Sequence, residues 1–271
     1  MRPNKLYEKL RSDEIALGIG LMYPSPGCIE GAFKDWDFVW IDGQHGQIAY
    51  DTALQCVQAA GAAGTETLIR VPGHEFGILG PFADLSPSAI MIPMVNTAEE
   101  ARQIVRNLSF APLGRRSYGG RRVVDLDGRE YYRQRKLMIV VQIETLEACE
   151  NVDAIAAVEG VDALFFGPDD MRVQLDLPIN TPTLENDKLR EAMARTAKSA
   201  VNAGKIAGTV APGAAGVKAA SQMGYRMIIG GSDIGFLRTS SNKMLDEMKT
   251  AAGEVVPKSA KEKPVAGVYA G

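Results

Sequence analysis

The chain has 271 residues, 46% of them hydrophobic, with 30 Lys and Arg against 33 Asp and Glu; it is long enough to bury a sizeable core in one α/β domain, and without a basic excess nucleic acid is excluded as the expected partner. Its three cysteines, Cys28, Cys56 and Cys149, are too widely spaced for a zinc knuckle, are odd in number and fall in predicted helices, so they read as buried reduced thiols of a cytoplasmic protein. The Met1-Arg-Pro-Asn-Lys5 start lacks an apolar signal core and no run approaches the roughly 20 apolar residues of a membrane helix, so a soluble protein without a membrane partner is expected.

Residues 4–14 read as a short amphipathic helix with Leu6 and Leu10 at helical spacing, followed by a strand over 16–22. Pro24-Ser-Pro-Gly27 punctuates. A helix over 28–36 then leads into Asp37-Phe-Val-Trp-Ile-Asp42, a second strand that ends on a charge and is followed by Gly43-Gln-His-Gly46. Residues 50–64 form a helix closed by glycine. Thr67-Leu-Ile-Arg-Val-Pro72 is a third strand, again finishing near a charge, and Ala89–Val95 a fourth; Thr97-Ala-Glu-Glu100 opens the next helix with a capping-box pattern. Between Pro112 and Asp127 lies a glycine- and arginine-rich loop, too long for a mere connector.

Met138-Ile-Val-Val-Gln-Ile143 and Ala163-Leu-Phe-Phe166 are short, apolar and rich in β-formers, as strands buried on both faces are. The first stops on Glu144, the second on Gly167-Pro-Asp-Asp170. Two carboxylates past neighbouring parallel strands would meet at the carboxyl edge of the sheet and offer hard oxygen donors to a divalent cation; alternatively Glu144 caps the following helix. A helix over 184–204, a strand over 206–210, a helix over 214–224, a strand over 226–230 ending on Gly231-Ser-Asp233, and a helix over 235–252 complete the pattern. Eight strands alternating with helices predict one (β/α)8 TIM barrel over 1–256, with residues 257–271 a loosely ordered or docking tail. A doubly wound sheet is disfavoured because no Gly-x-Gly-x-x-Gly follows the first strand. In a barrel Asp42, His45, Arg70, Glu144 and Asp170 converge on one rim.

Ile41-Asp-Gly-Gln-His-Gly46, Arg70-Val-Pro72, Met91-Ile-Pro-Met-Val-Asn-Thr-Ala-Glu-Glu-Ala-Arg102, Gly114-Arg-Arg-Ser117, Val141-Gln-Ile-Glu-Thr145, Gly167-Pro-Asp-Asp170 and Gly231-Ser-Asp233 together resemble the HpcH/HpaI aldolase family of metal-dependent pyruvate aldolases, over about 17–237 and in the family's order. The resemblance implies a barrel of the phosphoenolpyruvate/pyruvate type and a lyase cleaving a 4-hydroxy-2-oxo acid to pyruvate, or hydroxypyruvate, and an aldehyde. It implies a homo-hexamer, a trimer of dimers, with the last helix exchanged between subunits. Glu144 and Asp170 match the ligands of a Mg²⁺, Mn²⁺ or Co²⁺ ion acting as a Lewis acid on the 2-oxo carbonyl. Arg70 matches the arginine at the keto oxygen, and Asp42 with His45 the family's proton-moving pair. Asp84 resembles an acid contributed across a subunit contact. Gly167, Pro168 and Asp169 match the segment whose backbone N–H groups approach the pyruvate carboxylate; Gly167 and Asp169 can donate and Pro168 cannot. Gln142 and Tyr118 complete the substrate-binding set.

The chain departs from the family in carrying Gln44 where Glu is general and Tyr118 where a small apolar residue is common. The surroundings of Asp84 also lack the usual glycines. Arg115, Arg116, Arg121 and Arg122 are the only candidates for a phosphate-binding patch, so a CoA-ester lyase stays open at this point, as do an oxaloacetate decarboxylase and a non-catalytic 2-oxo-acid-binding barrel. A Schiff-base mechanism is not expected, since Lys205 precedes the seventh strand rather than following it.

Overall fold

Short apolar runs alternate with helical segments throughout the computed structural model, which describes residues 2–134 and 137–252. The order is α1 (Lys5–Arg11), β1 (Ala16–Leu21), α2 (Pro26–Ala32), β2 (Phe38–Asp42), α3 (Tyr50–Ala63), β3 (Glu66–Arg70), α4 (Phe76–Asp84), β4 (Ala89–Ile92), α5 (Ala98–Leu108), α6 (Arg121–Asp127), α7 (Tyr131–Gln134), β5 (Met138–Ile143), α8 (Leu146–Glu150), α9 (Val152–Ala156), β6 (Ala163–Phe166), α10 (Pro168–Gln174), α11 (Asp187–Asn202), β7 (Ile206–Val210), α12 (Gly213–Gln222), β8 (Tyr225–Ser232) and α13 (Asp233–Ala251). Each strand pairs in parallel with the next and β8 closes onto β1, giving the expected barrel. Every residue of β2, β4, β5 and β6 is buried, because one face of each strand looks to the axis and the other to a helix.

The axial side chains seal the floor. Phe38, Leu68, Met138 and Met227 pack there with Leu6 and Leu10 of α1. Asn4 fixes that helix in place: its side-chain oxygen accepts from the Tyr7 N–H at 3.0 Å and its amide donates to the Ser88 carbonyl at 2.7 Å. Gly18 makes room for the Phe38 ring, into which a Cβ at that position would run.

Several boundaries shift for local reasons. Pro26 occupies the first turn of α2 and starts it early, and Phe33 ends it before Trp36. β4 stops at Ile92 because the chain turns at Met94, which holds φ at 55°. Asn186 caps α11, which begins at Asp187 rather than Leu184. The capping box on α5 is present as predicted. Helix α4 went unread because two glycines and Pro81 obscure its pattern, and the arginine-rich loop itself winds into α6 before α7 follows. Cys56 and Cys149 are buried as expected, whereas Cys28 is only half-buried. Residues 253–256 of the predicted domain, and the predicted tail at 257–271, lie outside the described residues.

Helix α13 leaves the barrel. Only Asp233 and Gly235 of it are buried, and Phe236, Leu237, Met244, Leu245 and Met248 are exposed, the last at 63%. No helix among the described residues is long and apolar enough to cross a membrane.

Candidate active site

Asp42 and Arg70 end β2 and β3 as register partners. Arg70 donates to both Asp42 carboxylate oxygens, through Nε at 2.8 Å and Nη2 at 2.6 Å. The Asp42 and Arg70 side chains are 0% and 3% exposed, and the guanidinium lies 4.6 Å from the centroid of the Trp40 ring. A planar fork on a carboxylate with an aromatic face beneath leaves the cation little freedom. The Asp42 Oδ1 also accepts the backbone N–H groups of Gln44 at 3.1 Å and His45 at 3.3 Å, which folds the glycine-flanked loop back over the strand end. The sequence reading pairs Asp42 with His45; in the structure the Asp42 carboxylate accepts the His45 backbone N–H and is also held by the Arg70 fork. His45 itself is exposed.

Glu144 follows β5 and is 1% exposed. It does not cap α8; Thr145 does, accepting from the Ala148 N–H. The Glu144 carboxylate instead accepts from the Met94 N–H at 2.8 Å and from Gln142 Nε2 at 2.7 Å. Burial first, then the charge of Asp170 beside it, push the Glu144 acid up to about 7, while the Met94 N–H and the Arg70 charge pull the other way. Gly167 is obligatory against this carboxylate: a Cβ there would lie 2.6 Å from Glu144 Oε2 and 2.8 Å from Glu144 Cβ.

Asp169 and Asp170 sit in the first turn of α10. The Gly167 N–H is taken by the Ile143 carbonyl at 3.0 Å, which removes one of the two donors expected for a substrate carboxylate. Asp169 remains, at a helical position whose N–H has no intrahelical partner. Its side chain accepts from Arg172 Nη1 at 2.6 Å. Burial raises the Asp169 acid, and the Arg172 charge opposes this.

The structure therefore gathers Asp42, Arg70, Gln142, Glu144, Gly167, Asp169 and Asp170 at one rim. Asp84 and Tyr118 belong to a different cluster. Asp84 lies at the end of α4 remote from the rim and pairs with Arg116 at 2.7 Å; Tyr118 donates to the Arg129 carbonyl at 3.1 Å and stacks on Tyr131. Within that loop Arg115 pairs with Asn107, Arg121 with Asp125 and Arg122 with the Val57 carbonyl. Trp40 and Arg172 escaped the sequence reading because their value lies in what they touch. The Met94 N–H escaped it because a positive φ on methionine leaves no mark in the sequence.

Among the described residues no cluster of three or more His, Cys, Asp or Glu is preformed for a metal. The donor set nonetheless fits a divalent cation: the buried Glu144 carboxylate lies beside half-buried Asp170, whose charge helps to raise its acid, and the adjacent Gln142 Oε1 is buried without a partner in the described structure. Hard oxygen donors lacking positive charge are what such an ion compensates.

A family model described as HpcH/HpaI aldolase/citrate lyase matches residues 25–240. The hydroxypyruvate/pyruvate aldolase of Delftia acidovorans is 31% identical over 244 residues, covering 88% of this chain and 90% of that protein. The 5-keto-4-deoxy-D-glucarate aldolase of Escherichia coli is 29% identical, covering 91% and 97%. The crystal structure of an HpcH/HpaI aldolase/citrate lyase family protein from Burkholderia cenocepacia superimposes with a TM-score of 0.83 at 28% identity, over 91% of this chain and 99% of that one. With strand-end residues, barrel topology and sequence in agreement, the chain belongs to the HpcH/HpaI aldolase/citrate lyase family.

Proposed function

We propose that this chain is an aldolase that reversibly cleaves a 4-hydroxy-2-oxo acid into pyruvate, or hydroxypyruvate, and an aldehyde. The observation that carries the reading is the locked Asp42–Arg70 fork on the same rim as the buried Glu144 carboxylate and its half-buried neighbour Asp170. The names of the aldolase relatives support it.

Glu144 and Asp170 would hold the divalent ion, Mg²⁺ or Mn²⁺ with Co²⁺ also suited. When bound, such an ion supplies Lewis-acid polarisation of the 2-oxo carbonyl. Arg70 is preorganised to stabilise negative charge growing on the former keto oxygen, a contribution of about 3 kcal/mol for one well-placed donor. Asp42 holds Arg70 and at the same time positions the loop that carries His45. His45 takes a proton from the 4-hydroxyl in cleavage and returns it in the aldol direction. The Asp169 N–H binds the carboxylate of the 2-oxo acid, with Gly167 leaving the approach clear.

The exposed apolar stripe of α13 supports association with further copies; we read the assembly as a hexamer, a trimer of dimers with α13 exchanged, in which Asp84 serves a neighbouring subunit. The reduced cysteines suit the cytoplasm. The reading is tested by solvent deuterium exchange into the pyruvate methyl group, followed by NMR with and without Mg²⁺ or Mn²⁺. Metal-dependent exchange that disappears in Glu144→Ala is expected. Equal exchange in metal-stripped buffer refutes the assignment.

A further inference from the structure

We infer that the cavity between the rim loops after β6 and β7 is the subsite for an apolar tail on the aldehyde half of the substrate, an inference that rests on the aldolase reading above. The cavity, open to solvent on one side, has a volume of about 230 Å³, against the roughly 150 Å³ of a sealed void that accepts a benzene ring. Its walls include Pro168, Leu184, Met193, Val210, Ala211 and Pro212.

Two of these walls tie it to the reacting end. Pro168 stands between Gly167, which packs on Glu144, and Asp169–Asp170. Val210 ends β7 one residue beyond Thr209, the register partner of Phe166, which leads directly into Gly167. From there the cavity runs outward to Met193 on α11.

Its charged lining points away from polar tails. Arg172 is 4% exposed at its side chain and every arm of its guanidinium is used: Nε donates to the Thr181 carbonyl at 2.8 Å, Nη1 to Asp169 at 2.6 Å and Nη2 to Thr183 Oγ1 at 2.7 Å. Arg172 therefore braces the loop that forms the wall, and its charge is answered by Asp169 rather than offered to a ligand. The remaining ionisable lining residue, Glu185, is exposed and repels a carboxylate-terminated tail. An alkyl chain of a few carbons or a single aromatic ring matches this volume and lining.

The test measures kcat/KM for aldol addition of pyruvate to acetaldehyde, butanal, hexanal, benzaldehyde, glyceraldehyde and succinic semialdehyde, with pyruvate methyl exchange measured alongside. The expected result is a rise of roughly four-fold per added methylene along the alkyl series until the cavity is full, with glyceraldehyde and succinic semialdehyde trailing. Leu184→Asp flattens the series and Leu184→Met preserves it, while both variants exchange the pyruvate methyl at the parental rate. A flat series, a preference for the polar aldehydes, or a slope unmoved by Leu184→Asp, each with exchange intact, overturns the subsite and leaves the aldolase reading standing. Absence of exchange in the parent overturns both.

Discussion

Replacing Glu144 with Gln in the metal-stripped protein should raise its stability, and only at the alkaline end. The folded Glu144 acid titrates at about 7 against an ordinary value of 4.5. Between those values the folded state holds a proton that the unfolded chain has released, so this contribution to stability falls as pH rises from about 4.5 to 7 and is gone above that. The gap corresponds to about 3 kcal/mol. The Glu144→Gln substitution removes the buried charge and keeps an oxygen for the Met94 N–H; the Gln142 amide, whose Oε1 has no partner in the described structure, can turn to accept from the new NH₂ group. For a domain of this size the gain is roughly 6–12 °C in Tm. Scanning calorimetry at pH 5 and pH 8.5 in the presence of EDTA should show the two proteins nearly matched at the lower pH and the variant ahead at the higher. Adding Mg²⁺ or Mn²⁺ at pH 8.5 should then raise the parent and leave the variant behind. A difference of the same size at both pH values would refute the electrostatic origin of the raised acid.

Gly167→Ala should fold yet lose metal-dependent pyruvate exchange by at least about ten-fold, because its Cβ would drive the Glu144 carboxylate out of place; circular dichroism with NMR exchange checks this, and parental exchange would show that Glu144 has room to spare. Asp42→Asn leaves a buried guanidinium without its counter-charge and should cost about 3–5 kcal/mol in chemical denaturation; a loss under about 1 kcal/mol would mean that Arg70 finds another anion.

The barrel was legible because its strands are apolar on both faces and each of β2, β3 and β5 runs straight into a charge at the rim. That pattern survives any error in helix boundaries, which is why the sequence alone places Asp42, Arg70, Glu144 and Asp170 together. What the sequence hides is partner choice. Asp42 lies 28 residues from Arg70, and cross-strand register alone brings the Arg70 guanidinium to both its side-chain oxygens. The Gly167 N–H looked available until the parallel ladder claimed it for Ile143. Helix α4 and the turn at Met94 depend on backbone states that glycine, proline and tertiary packing decide, and local propensity is silent there.

The sealed floor has a kinetic consequence. With Leu6 and Leu10 closing one end of the axis, both reaction partners must come and go through the same mouth. The component seated deeper, against Arg70 and Glu144, then has to arrive first and depart last, while the aldehyde caps it from above. Steady-state turnover should accordingly follow an ordered sequence, with pyruvate competing against the uncleaved acid and the free aldehyde acting as a noncompetitive inhibitor of cleavage.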